Sequence, residues 1–297
     1  MKVSILPLCL LAFLFAFPGQ AFVVEANAAT IIVDTAADTL TNGGGCSLRE
    51  AITNANADAA TIADCTAGSG ADTINFDASL AGQTITLSLG QLVISSSITI
   101  DATGVANLSV SGNNASRVFD ITTATAVVVM TGFRITGGNG SPGGGIRNTG
   151  DLTFNNMTVQ SNAGSGSGGG VYTLGTGNRL TINGGFISAN TASSGGGIHG
   201  VTSLVISLTN VTVSGNTASI DGGGVFALGG TLNIMGGSVT SNTATNNAGG
   251  GIVASGTTLT ATNASITNNH ADGSQGRGGG MYIDGGSSTI SNSTLIP

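Results

Sequence analysis

Residues 195–218 read GGGIHGVTSLVISLTNVTVSGNTA, and this stretch contains every part of a motif that recurs along the chain. Three glycines followed by an apolar residue occur six times, at intervals of 25, 27, 27, 27 and 29 residues. The triplets begin at Gly143, Gly168, Gly195, Gly222, Gly249 and Gly278. A period of this length is typical of stacked solenoid units, so the repeat predicts one elongated body.

Aliphatic residues follow each glycine triplet at fixed distances. A pair spaced by two, such as Ile206 and Leu208, indicates one strand, and a lone aliphatic five residues later, such as Val213, indicates another. With the strand that follows the glycines, each unit is expected to hold three short strands. Strands that repeat in the same order stack in parallel, so the sequence predicts an all-β fold, a parallel β-helix of about 27 residues per coil.

An asparagine stands three residues after the lone aliphatic of each unit. Amides at the same point of successive coils can hydrogen-bond along the axis, so we expect an internal asparagine ladder. In the unit before the first of these asparagines, Gly138 occupies the same position. The predicted ladder residues are Asn162, Asn190, Asn216, Asn242 and Asn269.

Residues 1–28 have the pattern of a secretory signal peptide. Lys2 precedes an apolar run over residues 5–17, and residues 26–28, Ala-Asn-Ala, fit a cleavage site. No stretch is long enough for an ordinary transmembrane helix, so none is expected in the mature chain. We therefore expect an exported protein.

The charge balance is acidic, with seven Lys and Arg residues against 14 Asp and Glu residues and a net charge of −7. Nucleic acid is therefore not an expected partner. Charged residues make up only 7% of the chain, but the apolar residues recur periodically, which indicates a folded protein rather than a disordered one.

Residues 29–70 are expected to cap the N-terminal end of the β-helix, where strand edges would otherwise be open. Residues 47–50, Ser-Leu-Arg-Glu, match a capping box, which predicts a short helix to about Ala57. Cys46 and Cys65 bracket this helix, and one disulfide between them is the natural reading in an exported protein. The helix face expected over the first coil comprises Leu48, Ala51, Ile52 and Ala55. Residues 71–297 then form the β-helix, with repeats clearest over 128–297 and an incomplete last coil.

The stretch CSLREAI at residues 46–52, followed by DTINF at 72–76 and by the glycine-rich units, resembles the bacterial CSLREA-domain proteins. The repeats are also similar to those of polymorphic outer-membrane proteins. The resemblance covers nearly the whole mature chain. It implies a right-handed, pectin-lyase-like β-helix, secreted or held at the bacterial cell surface, with no catalytic residues to carry over. Such proteins often continue into a C-terminal sorting segment, whereas this sequence stops at Pro297 within a seventh unit, which leaves anchoring open.

Parallel β-helices also include polysaccharide lyases and glycoside hydrolases, so the acidic residues need separate attention. Lyases of this shape resemble one another in a basic residue beside clustered acids that bind calcium, and hydrolases need converging carboxylates. Asp101 and Asp120 are the pair that neighbouring coils could bring together, although aspartates that fix turns are far commoner. We expect no catalytic residues, no metal site and no cofactor, and a lyase or hydrolase using Asp101 and Asp120 stays the alternative.

The residue after the apolar residue of each glycine motif is the best functional candidate. Strand alternation turns this position outward, and successive coils would align the side chains in a column. The column comprises Arg147, Tyr172, His199, Phe226, Val253 and Tyr282. Such groups can stack on sugar rings or contact a surface protein, but outward rings also stack on one another and shield a sheet. The sequence thus favours a structural or adhesive scaffold that binds glycans or proteins, with an oligomeric state that stays open.

Overall fold

The computed structural model of the chain describes residues 27–273 and 276–296. The predicted signal peptide, apart from its last two residues, lies outside these ranges. The described residues form a parallel β-helix of about eight turns with about 27 residues per turn, which confirms the predicted fold class. No helix in this part of the chain is long and apolar enough to cross a membrane.

The strands of the described residues form four parallel sheets, A to D, that run along the axis. Sheet A has ten strands: Thr30–Val33, Asp72–Phe76, Ile98–Asp101, Val127–Thr131, Asp151–Asn155, Arg179–Asn183, Val205–Thr209, Thr231–Met235, Thr258–Thr262 and Ser287–Ser291. Sheet B has nine: Thr84–Thr86, Ser109–Ser111, Arg134–Thr136, Thr158–Gln160, Phe186–Ser188, Thr212–Ser214, Ser238–Thr240, Ser265–Thr267 and Thr294–Ile296. Each strand therefore pairs with its equivalent in an adjacent coil.

The other two sheets flank the glycine triplets. Sheet C has eight described strands: Leu92–Ile94, Phe119–Ile121, Ile146–Asn148, Val171–Leu174, Ile198–Val201, Val225–Leu228, Ile252–Ser255 and Met281–Asp284. Sheet D has six: Asn139–Gly140, Ala163–Gly164, Thr191–Ser194, Thr217–Asp221, Thr243–Ala244 and His270–Ala271. The glycine corner thus joins the end of sheet D to the start of sheet C.

Sheet D shows that the prediction of three strands per unit was wrong, because six coils contain a fourth. In one such coil this strand covers Thr217–Asp221, between a ladder asparagine and a glycine triplet. Its sequence, TASID, lacks the alternation of aliphatic and polar residues that marks a half-buried strand. Backbone pairing with neighbouring coils, rather than side-chain burial, makes this segment extended.

The apolar positions of each unit fill the interior of the β-helix. Ile206 and Leu208 are 1% and 2% exposed, and Val213 is fully buried. Equivalent residues of adjacent coils lie directly above and below, since Ile206 pairs with Leu180 and Leu232 in register. The core is therefore a set of stacked aliphatic columns, as the repeat predicted.

The glycine triplets are places where the backbone leaves no room for a side chain. Gly195 has a φ of +62°, which favours glycine, and a Cβ atom there would lie 2.6 Å from the Cβ of His199. Gly197 lacks a positive φ, but a Cβ atom there would lie 2.6 Å from the carbonyl oxygen of Gly224 in the next coil. The first glycine of a triplet is thus required by backbone conformation, and the third by coil-to-coil packing.

The N-terminal cap has the predicted helix, α1, at Leu48–Ala57. The Glu50 amide donates to the Ser47 hydroxyl at 3.2 Å, and the Ser47 amide donates to the Glu50 carboxylate at 3.0 Å, which confirms the capping box. Cys46 and Cys65 form the expected disulfide. The predicted apolar face of α1 is buried: Leu48, Ala51, Ile52 and Ala55.

Arg49 of α1 joins the cap to the first coil. Its guanidinium contacts the Asp38 carboxylate at 2.6 Å and donates to the carbonyl oxygens of Gly90 and Gln91 at 2.6 and 3.0 Å. Asp38 also accepts from the amides of Ser88 and Leu89. Burial acts to raise the pKa of Asp38, but these hydrogen bonds outweigh it and hold the pKa below its usual range.

Candidate functional site

The five ladder asparagines lie inside the β-helix, and each is at most 1% exposed. The Asn216 side-chain amide donates to the Asn242 carbonyl at 2.9 Å and to the Ile187 backbone carbonyl at 2.9 Å. The backbone amide of Asn216 donates to the same Asn242 oxygen at 3.0 Å. The ladder satisfies polar groups at a buried corner, and its burial leaves it no contact with a ligand.

The candidate column lies along sheet C, and the structure extends it beyond the six predicted residues. Parallel register places Val93 and Asp120 ahead of Arg147 in the same column. The register then continues through Tyr172, His199, Phe226, Val253 and Tyr282. The six predicted residues are therefore brought together, although His199 and Val253 are only 6% and 3% exposed.

Three rings of the column stack on one another. The ring centroids of Tyr172 and His199 are 5.6 Å apart, and those of His199 and Phe226 are 4.7 Å apart with planes within 15° of parallel. His199 Nδ1 also lies 3.1 Å from the Ser194 carbonyl oxygen. Burial lowers the pKa of His199, and the contact with Ser194 opposes this only in part. The ring of His199 is therefore covered on both sides, whereas Phe226 ends the stack and also lines the groove described below.

The acid pair considered for catalysis does not form. Asp101 lies on sheet A, where its carboxylate accepts from the Thr103 amide at 2.8 Å, whereas Asp120 lies on sheet C. The Asp120 carboxylate contacts Arg147 at 2.7 Å and Arg117 at 3.3 Å, and only 4% of the residue is exposed. The expectation that neighbouring coils could join the two acids was wrong, because the strands that carry them belong to different faces of the β-helix.

An open groove of about 310 Å³ lies at the C-terminal end of the column. Phe226 and Tyr282 line it from coils on either side of Val253, so their backbones are about 10 Å apart, two inter-strand spacings. The groove is lined by Asp221, Phe226, Asn247, Ala248, Val253, Ser255, Arg277, Tyr282 and Asp284. It thus combines two rings with two carboxylates, one guanidinium and one amide.

Three charged residues of this groove were not singled out as site residues in the sequence. Asp221 and Arg277 each stand immediately before a glycine triplet, at the position that Ser194 and Ala248 occupy in other coils. Asp284 lies two residues after Tyr282 on the same strand. Aligning the residues that precede the triplets would have revealed a second column containing Asp221 and Arg277. Corner residues of successive coils stack as strand residues do, so this column lies beside the rings.

Within the described residues, no group of three or more His, Cys, Asp or Glu side chains is arranged to hold a metal ion. Comparison of the chain with protein-family models, with curated proteins and with solved structures finds no match. The resemblance to CSLREA-domain proteins therefore stays a hypothesis based on the motif, and the functional argument depends on the groove.

Proposed function

We propose that this protein is an exported β-helix scaffold that binds glycans through the groove between Phe226 and Tyr282. The groove is the observation that carries the proposal, because it brings aromatic faces and polar groups to one open, concave surface. Export is supported by the signal-like N-terminal sequence and by the Cys46–Cys65 disulfide, since disulfides persist in oxidising compartments.

The groove matches the two kinds of surface that a pyranose presents. Phe226 and Tyr282 offer apolar rings to the C–H face of a sugar, and each ring can bury area that Val253 alone cannot supply. Asp221, Arg277 and Asp284 can exchange hydrogen bonds with hydroxyl groups at the sugar's edge, where their charges strengthen such bonds. An open groove of this size fits one or two sugar units of a longer chain.

The test is a glycan array and a polysaccharide-degradation assay on the same purified protein. Substituting Tyr282→Ser or Phe226→Ser should weaken retention of the bound glycan about tenfold, the effect of losing one stacking contact. The matched control is Phe186→Ser, because Phe186 is 51% exposed but lies on sheet B. Equal retention by all three variants and the parent would contradict the groove proposal.

A polysaccharide lyase or glycoside hydrolase is the second candidate, and one observation favours testing it. Asp221, Asp284 and Arg277 line the same groove, so two carboxylates and a guanidinium lie where a sugar would bind. An enzyme should release new reducing or unsaturated ends, and Asp221→Asn or Asp284→Asn should abolish them. Retention without new ends supports the binding scaffold. If the protein neither retains a glycan nor releases new ends, a structural or protein-binding role remains.

A further inference from the structure

Asp72 is a fully buried carboxylate at the start of the second strand of sheet A. Its Oδ1 accepts from the backbone amides of Ala29 and Ser69 at 2.9 and 2.8 Å. Its Oδ2 is buried and has no hydrogen-bond partner among the described residues. A buried carboxylate with an unsatisfied oxygen is costly unless a positive charge or a further donor compensates it.

The residue that reaches Asp72 is the first one after the predicted cleavage site. Residues 26–28, Ala-Asn-Ala, fit the specificity of a signal peptidase, which would cut the bond between Ala28 and Ala29. In the uncut chain the single N–H of Ala29 is shared between Asp72 Oδ1 at 2.9 Å and the Ser69 carbonyl oxygen at 3.2 Å. One hydrogen therefore serves two acceptors, and none is left for Oδ2.

We propose that Asp72 is the binding site for the new N-terminus, and that cleavage after Ala28 completes the cap by placing the α-ammonium group of Ala29 on this carboxylate. The peptidase hydrolyses the Ala28–Ala29 peptide bond: water supplies a hydroxyl to the Ala28 carbonyl carbon and a hydrogen to the Ala29 nitrogen. The freed amine takes one further proton from solvent. An ammonium group carries three donors, enough for Asp72 Oδ1, Asp72 Oδ2 and the Ser69 carbonyl.

The contact links processing to the stability of the N-terminal coil. Ala29 immediately precedes the strand Thr30–Val33, which pairs with Asp72–Phe76 and lies beside α1. A precursor that still carries Ala28 has a neutral amide beside the buried carboxylate, whereas the processed chain has an opposite charge there. Processing should therefore make the cap more stable. This inference rests on export, which is part of the proposed function, but not on glycan binding.

The experiment compares three forms of the mature chain: one that begins at Ala29 with a free amine, one that begins at Ala29 but is Nα-acetylated, and one that begins at Ala28. Each is made with Asp72 and with Asp72→Asn. With Asp72 present, the free-amine form should melt at least about 5 °C above the other two. With Asp72→Asn the three forms should melt together.

Equal melting temperatures for the free-amine and acetylated forms with Asp72 present would overturn the proposal. So would a difference that persists with Asp72→Asn. The acetylated form keeps Asp72 in place, so the comparison holds even if the substituted chain folds poorly. N-terminal sequencing of the exported protein should give Ala29 first, and an exported chain with another first residue would overturn the cleavage step. A chain that is not exported would contradict the proposed function, while the melting comparison would still test the site.

Discussion

At the scale of single residues, His199 shows how the column residues pack against one another. Its ring lies between Tyr172 and Phe226, and Phe226 also lines the groove. Gly195 leaves room for the side chain four residues later in the same coil, since a Cβ atom on Gly195 would lie 2.6 Å from the Cβ of His199. The adjacent glycine and the rings on both sides explain why an outward-facing histidine is buried.

The lowered pKa of His199 predicts a pH-dependent stability. The unfolded chain has the ordinary pKa of about 6.5, so it takes up protons before the folded chain as the pH falls. The stabilising contribution of neutral His199 is thus complete above this pH and is lost progressively below it. Denaturation at pH 8 and pH 5 should show this loss in the parent and not in His199→Phe.

The control for this experiment is Phe186→Leu, because Phe186 is exposed on sheet B and carries no titratable group. Phe186→Leu should lose stability between pH 8 and pH 5 as the parent does. If the stability of the parent does not fall between pH 8 and pH 5 relative to His199→Phe, burial of the imidazole is not coupled to folding.

The ladder predicts a large cost for a small substitution. Asn216→Ala removes the acceptor for both the backbone and side-chain amides of Asn190 and the donor to Ile187. Leaving these buried groups without partners should lower the free energy of unfolding by about 3 kcal/mol. Chemical denaturation measures the loss. Asn233→Ala, on the outer side of sheet A, is the matched control and should cost less than about 1 kcal/mol.

At the scale of elements, the cap is the part of the fold held by polar contacts rather than by stacking. The disulfide joins Cys46, just before α1, to Cys65 beyond its end, and Arg49 binds α1 to the turn at residues 88–91. The Asp38 carboxylate accepts hydrogen bonds from the Arg49 guanidinium and from two backbone amides of that turn. The helix therefore lies over the open end of the first coil in a defined position, which protects the strand edges there.

Removing the Arg49 side chain should loosen the cap without unfolding the remaining coils. Arg49→Ala leaves Asp38 and two carbonyl oxygens without their partner, which should cost about 2–4 kcal/mol. Hydrogen exchange of the α1 amides measures the effect, and exposed Arg134→Ala is the matched control. Because the pKa of Asp38 is lowered on folding, its contribution is present above about pH 4 and is lost in stronger acid. Unchanged α1 protection in Arg49→Ala would contradict this role.

At the scale of the whole molecule, the β-helix is a one-dimensional stack in which each coil contacts only its neighbours. Its stability is then close to a sum of coil and interface contributions, and damage at one interface spreads only locally. Between coils that carry glycine triplets, the backbones at the triplets meet without side chains between them. For example, the Gly197 amide donates to carbonyl oxygens of both Gly223 and Gly224 at 3.1 Å.

A single methyl group at this interface should therefore separate two coils. Gly197→Ala places a Cβ atom 2.6 Å from the Gly224 carbonyl oxygen, which should cost about 3 kcal/mol. Hydrogen exchange should increase in the coils that begin at Gly195 and Gly222 and stay unchanged in the cap. The control is Gly104→Ala, because a Cβ atom there meets nothing within 4 Å. If exchange rises uniformly along the chain, the coils do not behave as separate units.

The sequence by itself determined the architecture, because a β-helix repeats its requirements once per coil. The glycine triplets, the aliphatic pairs such as Ile206 and Leu208, and the capping box at Ser47 each specify local structure through periodicity or adjacent residues. These predictions are confirmed by stacked strands, a buried core and α1. Sheet D was missed because its strands are held by backbone pairing, which leaves no hydrophobic pattern.

Only the tertiary structure decided which side chains meet at a site. Asp101 and Asp120 lie on different faces of the β-helix. Asp221, Arg277 and Asp284 are distant in sequence, yet they line one groove with Phe226 and Tyr282. The Ala29–Asp72 contact likewise spans 43 positions of the chain. A periodic sequence shows which residues occupy equivalent points of successive coils, but the groove forms across a corner, where non-equivalent points of different coils come together.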